Sequence, residues 1–399
     1  MIEARLPRRG RPRGRPAVHA GGRASASQGP RVCILTCAAL TALVTAGCSS
    51  TATTKANWQV VANDPSASVP RWTASEVLRI GDADQGPAVF GDIGGLAVDS
   101  GGRVYLLDWQ TQELRLFGAD GRFLRTVARR GKGPGEMTGG AGISIDRRQN
   151  AWVWDVRLGR FTVFDSTGAL VATVHRRAIG SEFPWVGRFD DDGYLYDVEL
   201  RVDNDVQRLI TFRLSPASST WRKLSPLVGY LDLTATGVRK PMGGVLVVGI
   251  APDGSRWVGH QREARFWKVA ATGDTVLEAV IEGQAPALDR HTRDSLRQLR
   301  WGPTGHLAPD DVPRHRLAFR KFWVGDDGNL YIASANVDSL ENRVFDVLDS
   351  GGRRIATLDA GLKLETGPMP EVHSPFLYGT TRDHLGVEYF VKLRIHRPR

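Results

Sequence analysis

Two stretches, VYLLDWQTQELRLFGADG (residues 104–121) and AWVWDVRLGRFTVFDSTG (residues 151–168), share one length and one plan, about 47 residues apart. Each reads as an alternating apolar strand ending in Asp, a polar turn, a second apolar strand ending in Phe, and a turn closing on Gly. Alternation with a period of two places successive side chains on opposite faces of a sheet. The duplication predicts that each stretch is the middle of one repeated supersecondary unit.

The match extends outward. GPAVFGDIGGLAVDSGG (residues 86–102) precedes the first copy and GPGEMTGGAGISIDRRQN (residues 133–150) the second. A third copy opens with SEFPWVGRFDDDGYLYDVEL (residues 181–200). Phe90 to Asp99, Met137 to Asp146 and Phe183 to Asp192 are each nine residues, which sets a common register. Four short strands separated by Asp/Gly turns and repeated every 40–50 residues are the pattern of a β-propeller blade. Looser copies span residues 245–281 and 319–359, and residues 376–395 supply two or three further strands. SEVLRIGD (residues 75–82) is a lone strand with no blade of its own. Joining the two ends completes a sixth blade and removes exposed sheet edges. The expected fold is therefore all-β: a six-bladed β-propeller over residues 72–399, closed by pairing of the N-terminal strand with the C-terminal blade. One helical insertion is expected at Ala287–Trp301, with Leu288, Leu296 and Leu299 at helical spacing and Asp289 and Arg300 suiting the helix dipole.

The segment WVWDVRLGRFTVFDSTG resembles an NHL-repeat blade. RRGKGPGEM (residues 129–137) is similar to a linker of exported six-bladed propeller lipoproteins. The resemblance implies the fold from about Ser75 onward and leaves the activity open.

Residues 1–31 hold eight Arg and one Glu, followed by the apolar run Val32–Cys48. A basic region, a short apolar core and small residues at its end describe a signal peptide with a basic leader over residues 1–47. TAGC before SS resembles a bacterial lipobox, which implies cleavage before Cys48 and lipid on its thiol. Residues 48–71 then read as lipidated Cys and tether. Ser49 gives no acidic retention signal, which implies an outer-membrane location facing the periplasm, with the membrane as one partner.

Formal charge is +10, of which residues 1–47 carry +7, leaving +3 for the remainder. The basic character belongs to the leader, so nucleic acid is not an expected partner. Cys33 and Cys37 lie in the apolar core of the leader, and no disulfide framework is expected of the rest.

The loops between blades carry the most patterned polar residues. VARRGKGPGEM is echoed by VHRRAIGSEF, so that Arg129, Arg130 and Glu136 correspond to Arg176, Arg177 and Glu182. Alternating guanidinium and carboxylate groups suit bidentate contact with a polar ligand, and equally suit pairing with one another between blades. Asp155 and Arg160 flank a turn, where a local ion pair or a carboxylate capping backbone N–H groups is expected. His291, His306 and His315, with Asp310 and Asp311, lack ligand spacing, and no metal is expected there. No nucleophile elbow, P-loop or dinucleotide fingerprint is present. The residues thus point to a binding or scaffolding module for a polar ligand, glycan, peptide or envelope protein, with no cofactor. A lactonase-like hydrolase or lyase holding calcium at the channel mouth is the alternative.

Overall fold

The computed structural model describes residues 4–5 and 58–398, apart from 83, 178–184, 235–236, 284, 302–304 and 335–341. The strands form six blades of mostly antiparallel sheet around a common axis. The first blade is Ile93–Val98, Val104–Asp108, Glu113–Phe117 and Phe123–Ala128; the second is Gly140–Ile145, Ala151–Asp155, Arg160–Phe164 and Leu170–His175. The quoted repeats are the second and third strands of these two blades. In the third blade, Arg188–Phe189, Leu195–Asp203 and Val206–Ser215 are flanked by two short strands that divide the outer edge, Thr220–Lys223 and Leu227–Tyr230. The fourth blade is Leu246–Ile250, Arg256–His260, Arg265–Val269 and Thr275–Ile281. The fifth is Phe319–Val324, Leu330–Ser334, Val344–Leu348 and Arg354–Asp359.

The sixth blade is built from both ends of the described chain. Glu371–His373, Phe376–Arg382 and Glu388–His396 supply three strands, and Arg71–Ile80 is the fourth, running antiparallel with Thr73 opposite His396 and Ile80 opposite Phe390. Closure by the N-terminal strand is therefore present. The strand also begins earlier than residue 75. Gln59–Asn63 lies parallel to Leu277–Ile281 on the fourth blade, and Arg71–Thr73 lies parallel to Thr357–Asp359 on the fifth. Residues 59–80 thus form a strap along three consecutive outer edges, and residues 59–63 and 71, which read as tether, are paired strand. Asn63 fastens it: its Nδ2 donates to Gly352 O at 2.9 Å, and its Oδ1 accepts from Arg354 N at 2.7 Å.

Six apolar clusters fill the six interfaces between neighbouring blades, one cluster to each. Ile80, Phe90, Ile93 and Phe390 join the sixth blade to the first, and Trp152, Trp154, Phe161 and Trp185 join the second to the third. Trp257, Phe266, Phe319 and Phe322 join the fourth to the fifth, and Trp72, Trp323, Phe345 and Leu377 the fifth to the sixth. Burying one Leu or Phe contributes about 1.5–3 kcal/mol.

The third copy sits in a different register from the first two. Asp99 Oδ1 accepts the N–H of Arg103, Asp146 Oδ1 that of Asn150, and Asp190 Oδ1 that of Tyr194. Asp190 is the structural counterpart of Asp99 and Asp146, so the reading that used Asp192 is corrected by two residues. Three consecutive Asp residues there leave the choice open to spacing alone. The insertion does contain a helix, Arg290–Gln298, with Asp289 as its N-cap accepting from Thr292 N at 2.8 Å. Trp301 Nε1 donates to Arg239 O at 2.6 Å and Lys240 pairs with Asp311 at 2.7 Å, so the insertion rests on the linker between the third and fourth blades.

Candidate functional site

Each inner strand runs in the same direction, so the ring has a linker face, where inner strands begin, and a turn face, where they end. The second-to-third-strand turns share the linker face: Arg130 of the first linker donates to Gln110 O at 2.5 Å and Thr111 O at 3.4 Å. Asp155 caps its turn, accepting the N–H groups of Arg157 and Leu158 through Oδ1 and that of Thr138 through Oδ2. Arg160 makes no ion pair with it and instead donates to Gly133 O and Glu136 O.

The expected loop residues are not gathered into one ring. Arg129 and Arg177 are exposed. Glu136 folds back to accept Gly133 N at 2.8 Å within its own loop. Arg176 turns inward: its guanidinium contacts Asp197 at 2.5 and 2.8 Å, donates to Val198 O at 2.9 Å, and lies 4.1 Å above the Trp154 ring. Both partners are buried, at 1% and 0% side-chain exposure, so this pair is a fixture between strands. Glu182 and Cys48 lie outside the described residues. His306 and His315 are exposed on the insertion, and no group of three potential metal ligands occurs among the described residues.

The inner strands enclose a central cavity of about 620 Å³, within the range of small-ligand sites. Gly94, Gly142 and Trp185 line it towards the linker face, and Asp191, Asp326, Glu371 and His373 towards the turn face. The insertion contributes nothing to this lining. Arg188 stands in the wall from the third blade, and its Nη1 donates to Val324 O of the fifth at 2.6 Å. These blades are not neighbours, so the side chain spans the inner strand of the fourth blade between them. Among the described residues no carboxylate comes within ion-pair distance of this guanidinium, and one carbonyl is its only hydrogen-bond acceptor. Burial depresses its pKa, opposed by the fields of Glu371, Asp326, Asp191 and Asp327. An arginine titrates so high that it stays charged at any physiological pH.

The part of the wall that this guanidinium reaches, on the fifth and sixth blades, is acidic. Glu371 and His373 alternate with the buried Val372 and so share one side of their strand, with His373 Nε2 3.4 Å from Glu371 Oε2. Burial alone would lower the His373 pKa, but the hydrogen bond to Glu371 and the fields of Glu371 and Asp326 hold it above its ordinary value. Asp326 Oδ1 accepts Ser374 N at 2.9 Å, and its other oxygen has no described partner. Tyr378 packs edge-on to His373 at 5.4 Å, and burial together with the two carboxylates pushes its hydroxyl up to about 12, so it is a neutral donor.

None of these channel residues was singled out from the sequence, although one signal was present. Arg188 pairs with Tyr196 in the ladder, as Ala97 pairs with Tyr105, Ser144 with Trp152, Gly249 with Trp257 and Trp323 with Tyr331. Glu371 of the sixth blade pairs with Tyr378 in the same way, so in the correct register this position is charged in two blades, with opposite signs, and small or aromatic in the other four.

Comparison with known proteins agrees with this architecture. Residues 88–226 match a family described as a 6-bladed beta-propeller. A Bacteroides fragilis protein described as a candidate for export is similar in structure, at a TM-score of 0.51 and 10% identity, covering 86% of this chain and 100% of its own. A Bacteroides vulgatus protein gives a TM-score of 0.48 at 10% identity, covering 82% of this chain and 99% of that one. A gluconolactonase of Xanthomonas campestris gives 0.42 at 13% identity, covering 80% of this chain and 98% of that one. The first comparison bears on the fold alone, and the other two are too distant to bear on function. No curated protein matches the sequence.

Proposed function

We propose that the protein is a lipid-anchored binding module of the cell envelope, probing its surroundings with a polar-ligand site in the central channel of the propeller. The observation that carries the reading is Arg188: a guanidinium held inside a cavity of about 620 Å³ with most of its donors uncommitted. A carboxylate or phosphate group placed there receives two parallel charge-assisted hydrogen bonds. The signal-like leader and the lipobox resemblance at Cys48 support the anchoring half.

The test is thermal unfolding of the full chain, solubilised in detergent, against carboxylate-bearing small molecules and separately against calcium and magnesium. A ligand that binds the native state raises the midpoint saturably. Arg188→Gln should weaken a carboxylate ligand by roughly 10- to 100-fold, the equivalent of about 1.5–3 kcal/mol for hydrogen bonds to a charged group. A saturable rise with calcium that Arg188→Gln leaves intact would overturn the reading in favour of the lactonase-like hydrolase. Cys48→Ser should release the protein from the membrane fraction; retention there would refute lipid anchoring.

A further inference from the structure

The channel holds opposite charges unpaired. Arg188 reaches from the third blade to Val324 O of the fifth, where Asp326 of the fifth blade and Glu371 of the sixth are among the carboxylates whose fields it feels. Opposite charges facing each other at this depth would ordinarily close into an ion pair, and here they do not: the nearest partner of the guanidinium is a backbone carbonyl. Among the described residues, the Glu371 carboxylate is engaged through the 3.4 Å contact with His373 alone. Asp326 is engaged through a single oxygen by the Ser374 amide.

An ion pair held open in a partly desolvated cavity discriminates among ligands by charge. A simple anion satisfies Arg188 and brings its charge towards Glu371 and Asp326. A simple cation satisfies the carboxylates and meets the guanidinium. A molecule carrying both an anionic and a cationic group satisfies the guanidinium and the carboxylates together and leaves no charge facing its like. Glu371, Asp326 and His373 do not form a metal-ligating group, since no group of three potential metal ligands occurs among the described residues. They are therefore better placed to receive a multi-donor ammonium group than to share one ion.

We infer that the channel takes a zwitterionic ligand, an amino acid or short peptide whose carboxylate lies on Arg188 and whose ammonium lies against Glu371 and Asp326. The inference rests on the proposed reading of the channel as the binding site. It goes further in assigning both ends of the ligand.

Three matched probes test it on the full chain by calorimetric titration: dialanine, N-acetyl-dialanine, which lacks the ammonium, and dialanine amide, which lacks the carboxylate. Dialanine should bind at least tenfold more tightly than either capped form. Arg188→Gln should remove the preference for a free carboxylate, and Glu371→Gln should reduce the preference for a free ammonium by at least fivefold. Near-unchanged unfolding midpoints would show that the variants are folded. For Arg188, Arg188→Lys keeps the charge without the fork and should retain part of the binding. Equal binding of dialanine and its acetylated form would overturn the zwitterion inference while leaving an anion-binding channel standing. Equal binding of dialanine and its amide would overturn both, and so would failure of all three to bind.

Discussion

Replacing Arg176 by Met decides between a structural and a ligand-binding role for the loop arginines. The side chain is 1% exposed and its partner Asp197 is 0% exposed, with contacts at 2.5 and 2.8 Å. Met fills much of the same volume but leaves the Asp197 carboxylate with Trp185 Nε1, at 2.9 Å, as its remaining side-chain donor. Breaking a buried pair by removing one partner costs about 3–5 kcal/mol, because the other charge stays buried. The stacking on Trp154 at 4.1 Å is lost with it. At about 2.1 cal/mol/K per residue, a propeller of about 340 residues has an unfolding entropy near 0.7 kcal/mol/K. Arg176→Met should therefore lower the unfolding midpoint by roughly 4–7 °C, followed by tryptophan fluorescence, since Trp154 and Trp185 flank the pair. Adding Asp197→Asn should recover part of the loss by discharging the stranded carboxylate. A loss below about 1 kcal/mol would mean that water reaches Asp197 and that the pair behaves as an exposed bridge. The argument from burial would then fail.

Other consequences are equally open to measurement. Asp359 is depressed to about 2: burial opposes this, but hydrogen bonds from Arg343, the Gly361 amide and Arg71 prevail. A depressed pKa contributes stability above the unfolded value and loses it as pH falls towards the folded one. Asp359→Asn should accordingly cost about 2 kcal/mol at neutral pH and flatten the stability curve between roughly pH 4 and 2; an unchanged slope would count against it. The raised pKa of His373 has the opposite sign, contributing stability below the ordinary histidine value and losing it as pH rises through the folded one. The difference between wild type and His373→Gln should shrink as pH rises from about 6 to 8, and a growing difference would contradict the assignment. Removing residues 58–70 strips the strap strand from the fourth blade but leaves the Arg71–Thr73 pairing and the sixth blade whole, whereas removing residues 58–80 opens the ring. Light scattering should find the first form monomeric and the second aggregated, and a monomeric second form would refute closure by the strap.

The parts of the fold that sequence revealed are those with repetitive local chemistry. Apolar alternation and Asp/Gly turns gave the blades, and the lone strand at residues 75–82 together with the incomplete C-terminal blade gave the closure. What stayed hidden depended on register or on distant partners. In the third copy Asp190, Asp191 and Asp192 are chemically alike, and only the ladder shows that Asp190 makes the turn. That slip of two residues concealed Arg188 as a charge at a position that is small or aromatic in four other blades. Arg176 looked like a loop cation because its partner, Asp197, lies in a strand of the following blade, 21 residues away. The site as a whole is drawn from the third, fifth and sixth blades; Arg188 and Glu371 share one ladder position, opposite Tyr196 and Tyr378, which the slipped register and the short first strand of the sixth blade hid.

The strap also governs when the molecule can become itself. Thr73 finds its partner about 320 residues later, at His396, and Gln59 finds Leu277 about 220 residues later. Contacts this distant in sequence form late. During synthesis this early strand waits for a late one, and blade edges stay unpaired in the interval. A chain interrupted before residue 388 has no partner for Thr73–Ile80 and keeps an open interface. Closure is thus a check on completeness: whole chains are sealed, and truncated ones remain recognisable to chaperones and proteases by their exposed edges.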